Sequence, residues 1–299
     1  MYLYHFGFRK LPFSLTPDTD LFCALPVYQE ALNTLNFALS TGEAFCKVTG
    51  EVGSGKTLLC RLLLNKISEQ RTVAYIPNPV LKPKELKLAL AHELNMRVKG
   101  DVGEELLIPK LQKKLIDEFK KRGPVILVID EAQAMPDETL ETLRLFANLE
   151  TEQAKLLQIV LLGQPELNEK LAQEHLRQLR QRIVFSYHLK PLNRKQIRQY
   201  VQHRVAHVTT GNGVVFSHLA LRAISYFSRG VPRLVNILSH KSLMLAFGKG
   251  EHRIGLKHIL VATKDTDDTS KNFEKAKHIM SLLLLMLFSS TAVAWWIAP

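Results

Sequence analysis

Hydrophobic positions along the first two-thirds of the chain follow two periods in turn. Short, nearly unbroken apolar runs occur at 44–50 (AFCKVTG), 72–77 (TVAYIP), 124–133 (PVILVIDEAQ), 156–165 (LLQIVLLGQP) and 183–189 (IVFSYHL). Runs of this length between turn residues read as strands, and those without polar alternation as strands buried on both faces of a parallel sheet. The intervening segments 56–67, 84–94, 104–122 and 137–150 place apolar residues three and four apart, which predicts helices with one buried stripe. Strands alternating with helices imply right-handed crossovers and a doubly wound parallel sheet, with ligand chemistry at the strand C-termini.

After Leu189 the strand pattern stops. Segments 193–208, 217–229, 231–250 and 254–263 read as helices separated by turns containing glycine, which predicts a small all-helical module. Residues 264–272 (KDTDDTSKN) form a polar linker without periodicity. The stretch 279–298 (IMSLLLLMLFSSTAVAWWIA) carries no charge, and about twenty residues at ~1.5 Å rise cover roughly 30 Å, the thickness of a bilayer's hydrocarbon. Trp295 and Trp296 stand at its far end, while Lys271, Lys275 and Lys277 precede it, which predicts a transmembrane helix with residues 1–278 cytoplasmic. A buried core helix is the alternative, and the polar linker argues against it. The expected division is an N-terminal lead-in at 1–40, an α/β core at 41–190, a helical module at 191–265, a linker at 266–278 and a span at 279–298.

Composition narrows the class. A chain of 299 residues with 46% hydrophobic and 23% charged residues can bury a full core, which excludes a disordered chain. Cys23, Cys46 and Cys60 form no C-x-x-C pair and no His/Cys cluster with zinc spacing, so they read as reduced thiols. The N-terminus MYLYHFGFRKLPF lacks the long apolar stretch of a cleavable signal. Net charge is +12, and its location says more than its size. No acidic residue lies between Glu174 and Glu251, a stretch with thirteen lysines and arginines, whereas residues 1–174 are close to neutral.

GEVGSGKT (50–57) fits G-x-x-x-x-G-K-[ST] and lies between a predicted strand and a predicted helix. In such a loop the glycines let backbone N–H groups turn inward around phosphates at the positive end of the helix. The expected nucleotide cradle is Gly50, Glu51, Val52, Gly53, Ser54, Gly55, Lys56, Thr57 and Leu58. Lys56 would supply charge to the β/γ-phosphates of ATP, and the Thr57 hydroxyl would ligate Mg²⁺. VILVIDEAQ ends a buried strand in two acids: Asp130 would hold the Mg²⁺ through its water shell, and Glu131 would act as general base on the attacking water. Taken alone, an acidic pair at a strand end is commonly a solvated loop start; its position after the phosphate loop favours catalysis.

Three further groups complete the constellation. Gln164, at the end of IVLLG, stands where a γ-phosphate sensor belongs, or is a turn residue before Pro165. LRQLRQRI (176–183) places arginines before the last strand: either a solvated basic face, or a finger to a neighbouring subunit's ATP, with Arg182 favoured over Arg180. Arg233 in GVPRLVN opens a helix, where a cation meets an unfavourable dipole unless an anion such as nucleotide lies near.

These parts in this order resemble the AAA+ ATPases, in which a helical lid follows a P-loop α/β core with a parallel sheet flanked by helices. GVPR, then IGLKHI (254–259), is similar to the branch that includes replication initiators and transposition ATPases. FGFRKLPFSLTPDTDLFCALPVYQEALNTLNFAL (6–39), followed by GEVGSGKT, VIDEAQ and LLGQPEL, resembles the ExeA/GspA family of general-secretion ATPases, and most of all its member tied to biogenesis of the mannose-sensitive haemagglutinin (MSHA) type IV pilus. The resemblance covers residues 1–265. It implies an ATP hydrolase at the bacterial inner membrane, homo-oligomeric, assisting pilus or secretion assembly proteins, with Pro12, Phe13 and Pro17 leading towards the adenine pocket. Secretion members continue into a periplasmic peptidoglycan-binding region; the sequence here stops at Pro299, so that activity is not expected. The basic module then has three candidate partners: nucleotide and the next subunit, anionic lipid headgroups, and DNA. With no base-reading motif and an expected anchor, DNA ranks last.

Overall fold

The computed structural model describes residues 2–97, 104–151, 154–210 and 215–270. The chain starts with a single-turn helix α1 (Tyr2–His5) and a longer helix α2 (Pro26–Ser40). Next come β1 (Phe45–Gly50), α3 (Lys56–Ile67), β2 (Val73–Ile76), α4 (Pro83–Glu93), α5 (Glu104–Arg122) and β3 (Val125–Ile129). The α/β pattern ends with α6 (Asp137–Phe146), β4 (Leu157–Gly163), α7 (Glu166–Ala172), α8 (Arg177–Arg182) and β5 (Ile183–Leu189). Beyond it lie α9 (Arg194–Val208), β6 (Val215–Phe216), α10 (His218–Ser228), α11 (Pro232–Gly248), β7 (Arg253–Ile254) and α12 (Leu256–Lys264).

These elements divide into two units. The first holds residues 17–20 and 24–190; the second holds residues up to Thr16, 21–23 and those from Pro191 on. Residues 1–40, read from sequence as one lead-in, are therefore shared between them. In the α/β unit the five strands run parallel in the order β2-β3-β4-β1-β5. Every residue of β3 and β4 is buried, the polar Gln158 included, as their nearly unbroken apolar runs predict. One face of the sheet packs Leu127, Ile129 and Leu161 against Leu90 of α4, Leu107, Leu111 and Leu115 of α5, and Leu140, Leu143 and Phe146 of α6. Leu107, Leu111 and Leu115 recur every four residues, so one stripe of α5 enters the core.

Register sets up the chemistry. Thr49 pairs with Gly163, and Ile129 with Leu161, so β1, β4 and β3 end side by side. Because β4 runs between the other two, the residue after it emerges between the loop after β1 and the acids after β3.

The second unit is mainly helical. Asn193 caps α9: its side chain accepts from the Gln196 N–H at 3.0 Å, and the Gln196 side chain accepts from the Asn193 N–H at 2.9 Å. Ser217 caps α10 in the same sense, and Pro232 opens α11. Gly230 is obligatory at φ 82°, since an added Cβ would lie 2.4 Å from the Leu192 carbonyl oxygen. The expectation of an all-helical module needs one correction. β6 and β7 pair in parallel, Val215 with Arg253 and Phe216 with Ile254, and two residues are too few to display a strand period in sequence. Among the described residues no helix is long and apolar enough to cross a membrane; the span expected at 279–298 lies outside them.

Candidate active site

β1 runs into the glycine loop at Gly50, and α3 begins at Lys56. Two glycines turn the loop: Gly53 at φ 77° and Gly55 at φ 100°, both left-handed. Gly50 permits close packing, because a Cβ there would meet Ser54 Oγ at 2.7 Å and Leu189 Cβ at 2.9 Å. Gly55 stands at the N-cap of α3 without a side-chain cap, so the first N–H groups of that helix are not taken by a side-chain cap. Glu51 and Val52 at the rim are exposed, whereas Ser54 and Lys56 are buried and Leu58 is half-buried in the first turn of α3.

Lys56 folds back over the loop. Its Nζ donates to the Gly50 carbonyl at 2.8 Å and the Glu51 carbonyl at 3.1 Å. Burial pushes its proton affinity below the ordinary lysine range, against the opposing pull of Glu131, Asp130, Glu51 and Glu166. Ser54 Oγ is buried without a protein partner. An uncapped helix start, an orphaned hydroxyl and a lysine held only by carbonyls together fit a polyphosphate.

The acids follow β3. Asp130 is buried, and its Oδ2 accepts from the Thr57 hydroxyl at 3.1 Å. Burial raises the Asp130 carboxyl above its ordinary range, opposed by hydrogen bonds from the Glu131 N–H and from Thr57. A hydroxyl and a carboxylate side by side are hard oxygen donors, the kind Mg²⁺ takes in small number while keeping waters and phosphate oxygens. No cluster of three metal-binding side chains occurs among the described residues, so an all-protein cage is not what they offer. The Thr57–Asp130 pair fits a phosphate-bound Mg²⁺.

Glu131 adopts φ 51°, a left-handed conformation uncommon outside glycine, and stands at the start of a short 3₁₀ turn (Ala132–Ala134). Its Oε2 accepts from Gln133 Nε2 at 2.6 Å and Gln164 Nε2 at 3.0 Å. Burial pushes the Glu131 carboxyl up, but the amide bonds from Gln164 and Gln133 and the charge of Lys56 outweigh it, so the net direction is down. A carboxylate held ionised beside the phosphate loop can accept a proton from water.

The loop, Asp130, Glu131 and Gln164 therefore converge. The arginines do not join them in this unit: Arg180 is exposed with Nη1 3.5 Å from the Ala172 carbonyl, and Arg182 Nη1 donates to the Arg144 carbonyl at 3.3 Å. Arg233 belongs to the helical unit, exposed in the first turn of α11. Pro12 and Phe13 also fall in the helical unit, and Pro17 in the α/β unit. Two residues escaped the sequence reading. Tyr28 of α2 donates its hydroxyl to the Ser54 carbonyl at 3.0 Å, with its ring under Gly55. Gln133 was visible within VIDEAQ, but no spacing rule announces what it touches.

Residues 39–171 match the family described as AAA domain. Over 296 residues, 99% of this chain, the sequence is 36% identical to general secretion pathway protein A of Aeromonas hydrophila. The chain spans 54% of that relative's length. Among solved structures the fold is similar to Cdc6p of Pyrobaculum aerophilum, with a TM-score of 0.68 and 18% identity over 85% of this chain and 70% of that one. It is also similar to the ORC1 protein of Aeropyrum pernix solved in complex with DNA, with a TM-score of 0.60 and 21% identity over 86% of this chain and 69% of that one. For the RuvB Holliday junction branch migration motor of Thermotoga maritima the TM-score is 0.54 and the identity 19%, over 87% and 75%. At those identities the structural likeness is one of fold.

Proposed function

We propose, from the premise that this chain carries an AAA domain and is a relative of general secretion pathway protein A, that it is a Mg²⁺-dependent ATP hydrolase whose cycle drives assembly of a secretion complex or an MSHA-like type IV pilus at the bacterial inner membrane. The observation that carries the catalytic part is the Thr57–Asp130 hydrogen bond, 3.1 Å long, which joins the phosphate loop to the end of β3 beside Glu131. When ATP binds, Lys56 exchanges the Gly50 and Glu51 carbonyls for β/γ-phosphate oxygens. Thr57 and Asp130 would hold a Mg²⁺, which would supply positive charge to those oxygens. Glu131 takes a proton from the attacking water, and the Gln164 amide reports the γ-phosphate.

The remaining assignments extend the same reading. Residues 279–298 anchor the chain, with the ATPase on the cytoplasmic side and the basic helical unit offered to anionic lipid. The protein acts as a homo-oligomer in which Arg182 or Arg180 reaches a neighbour's ATP and Arg233 senses nucleotide. The test is to compare ATP binding and turnover of the intact protein with its Glu131→Gln form, and to identify what copurifies with that form in ATP. Retained binding with turnover reduced ~10²-fold or more supports the site, and a pilus or secretion component supports the pathway; normal turnover in Glu131→Gln would sink the catalytic assignment.

A second reading has its own observation. Arg194, Lys195, Arg198, Arg222, Arg229 and Arg233 of the helical unit are all exposed, within the stretch that carries no acid. That surface favours an ATP-switched DNA-binding protein if DNA stimulates turnover and binds with steep salt dependence. No binding at low salt removes this reading.

A further inference from the structure

The Glu131 carboxylate is part of a closed ring of hydrogen bonds. Gln133 Nε2 donates to Glu131 Oε2 at 2.6 Å, and Gln133 Oε1 accepts from the backbone N–H of Gln164 at 2.9 Å. The Gln164 side chain completes the ring by donating to the same Oε2 at 3.0 Å. One residue thus ties the base after β3 to the backbone that carries the sensor after β4. We propose that Gln133 is a positioning residue for hydrolysis: it holds the Glu131 carboxylate in place while the Gln164 side chain is free to turn to the γ-phosphate.

Three features of the chain argue for this role. The left-handed turn at Glu131 starts the 3₁₀ turn that contains Gln133, so two side chains only two positions apart converge on one oxygen. Position 163 is glycine, and a Cβ there would stand 3.2 Å from Gln133 Oε1 and 2.9 Å from Leu167 Cδ2; the missing side chain gives the amide its access to the Gln164 N–H. The bonding itself calls for a side chain that donates at one end and accepts at the other, which the glutamine amide does without titrating.

The division of labour follows from counting donors. Glu131 Oε2 accepts two amides in this structure, and both donors approach the same oxygen, which leaves Oε1 without an amide donor. If the Gln164 amide moves to phosphate, one donor is lost and Gln133 alone fixes the carboxylate. Gln133 bonds the sensor through its backbone, so its hold does not depend on where the Gln164 side chain points.

This inference rests on the hydrolytic reading above, and its test separates the two. Steady-state hydrolysis of Mg²⁺–ATP by the full chain is compared for wild type, Gln133→Leu, Glu131→Gln and the double variant, with nucleotide affinity and thermal stability measured on each. Gln133→Leu keeps the volume and removes both bonds. The expected result is a kcat lower by about 10- to 100-fold with KM and nucleotide affinity within about twofold of wild type. In the Glu131→Gln background the same change alters the residual rate by less than about twofold, because its effect passes through Glu131. A kcat within twofold of wild type overturns the proposal, as does an equal loss in both backgrounds, which marks a general structural effect. If Glu131→Gln itself turns over normally, the hydrolytic reading fails first, and the binding data show whether nucleotide was bound at all.

Discussion

The two units each withdraw a cation from water, and they hold it differently. Lys56 of the α/β unit is 5% exposed, and its ammonium rests on the Gly50 and Glu51 carbonyls of the phosphate loop. Arg204 of the helical unit is 3% exposed; its Nη1 donates to the Pro12 carbonyl at 3.2 Å and, more distantly, to that of Ser14 at 3.5 Å, with the guanidinium over the Tyr200 ring. The partners of Lys56 form the mouth of a cradle whose helix start lacks a side-chain cap and whose Ser54 hydroxyl is orphaned, so an anion can replace them. Those of Arg204 belong to an irregular stretch whose carbonyls have no ladder to join, so the guanidinium staples that stretch to α9. Burial alone does not distinguish a ligand-binding cation from a structural one; the replaceability of its partners does.

The sharpest way to break this comparison is to remove each cation. Lys56→Ala should lower ATP affinity by roughly 100-fold or more, since charge-assisted bonds to phosphate are worth up to about 3 kcal/mol. Its stability without nucleotide should stay near wild type, because burial already opposes that charge. Arg204→Ala should do the reverse, costing about 2–4 kcal/mol in chemical denaturation through lost bonds and a cavity. Lys56→Ala unfolding as readily as Arg204→Ala would erase the distinction between placeholder and staple.

Sequence revealed the first cation and hid the second. Lys56 belongs to a contiguous pattern in which spacing, strand and helix all agree, and β3 and β4 were equally legible because a nearly unbroken apolar run has one simple solution in a parallel sheet. Arg204 was one of thirteen basic residues in an acid-free stretch. A usable signal did exist, since it falls on the same stripe of α9 as the buried Tyr200, Val201 and Val208. Tyr28 and Gln133 carried no such signal: one acts on Ser54, 26 residues away, and the other on the backbone of Gln164, 31 residues away. Both contacts depend on tertiary packing, and Gln133 also needs the left-handed turn at Glu131 that no local propensity dictates.

A smaller effect sharpens the account of the cradle. Tyr28→Phe deletes one buried neutral hydrogen bond to the Ser54 carbonyl while keeping the ring under Gly55. It should cost about 1 kcal/mol, read as ATP affinity weaker by roughly fivefold in nucleotide titration. An unchanged affinity would mean that the loop holds its shape without α2, and that Lys56 and the glycines suffice.

The smallest effect belongs to cations that stay at the surface. Glu118 accepts from Lys114 at 2.8 Å and Lys121 at 3.4 Å, and its other oxygen accepts from Thr72 at 3.0 Å. The bond from Lys114 is the main influence; burial opposes it, Thr72 and Lys121 reinforce it, and the carboxyl is held at about 2 against an ordinary 4.5. A folded-state value below the unfolded one stabilises the protein above pH ~4.5, and that contribution disappears as pH falls towards ~2. Lys114 is 27% and Lys121 64% exposed, so solvent screens both pairs in part, and Glu118→Gln should cost about 1 kcal/mol near neutral pH. The gap between wild type and Glu118→Gln, read from denaturation midpoints, should narrow steadily below pH ~4.5 and shrink at high salt. A gap that ignores both pH and salt would mean that Glu118 acts by packing. Surface cations would then stabilise this protein without their charge, and the contrast between Lys56 and Arg204 could no longer be drawn from the partners of the charge alone.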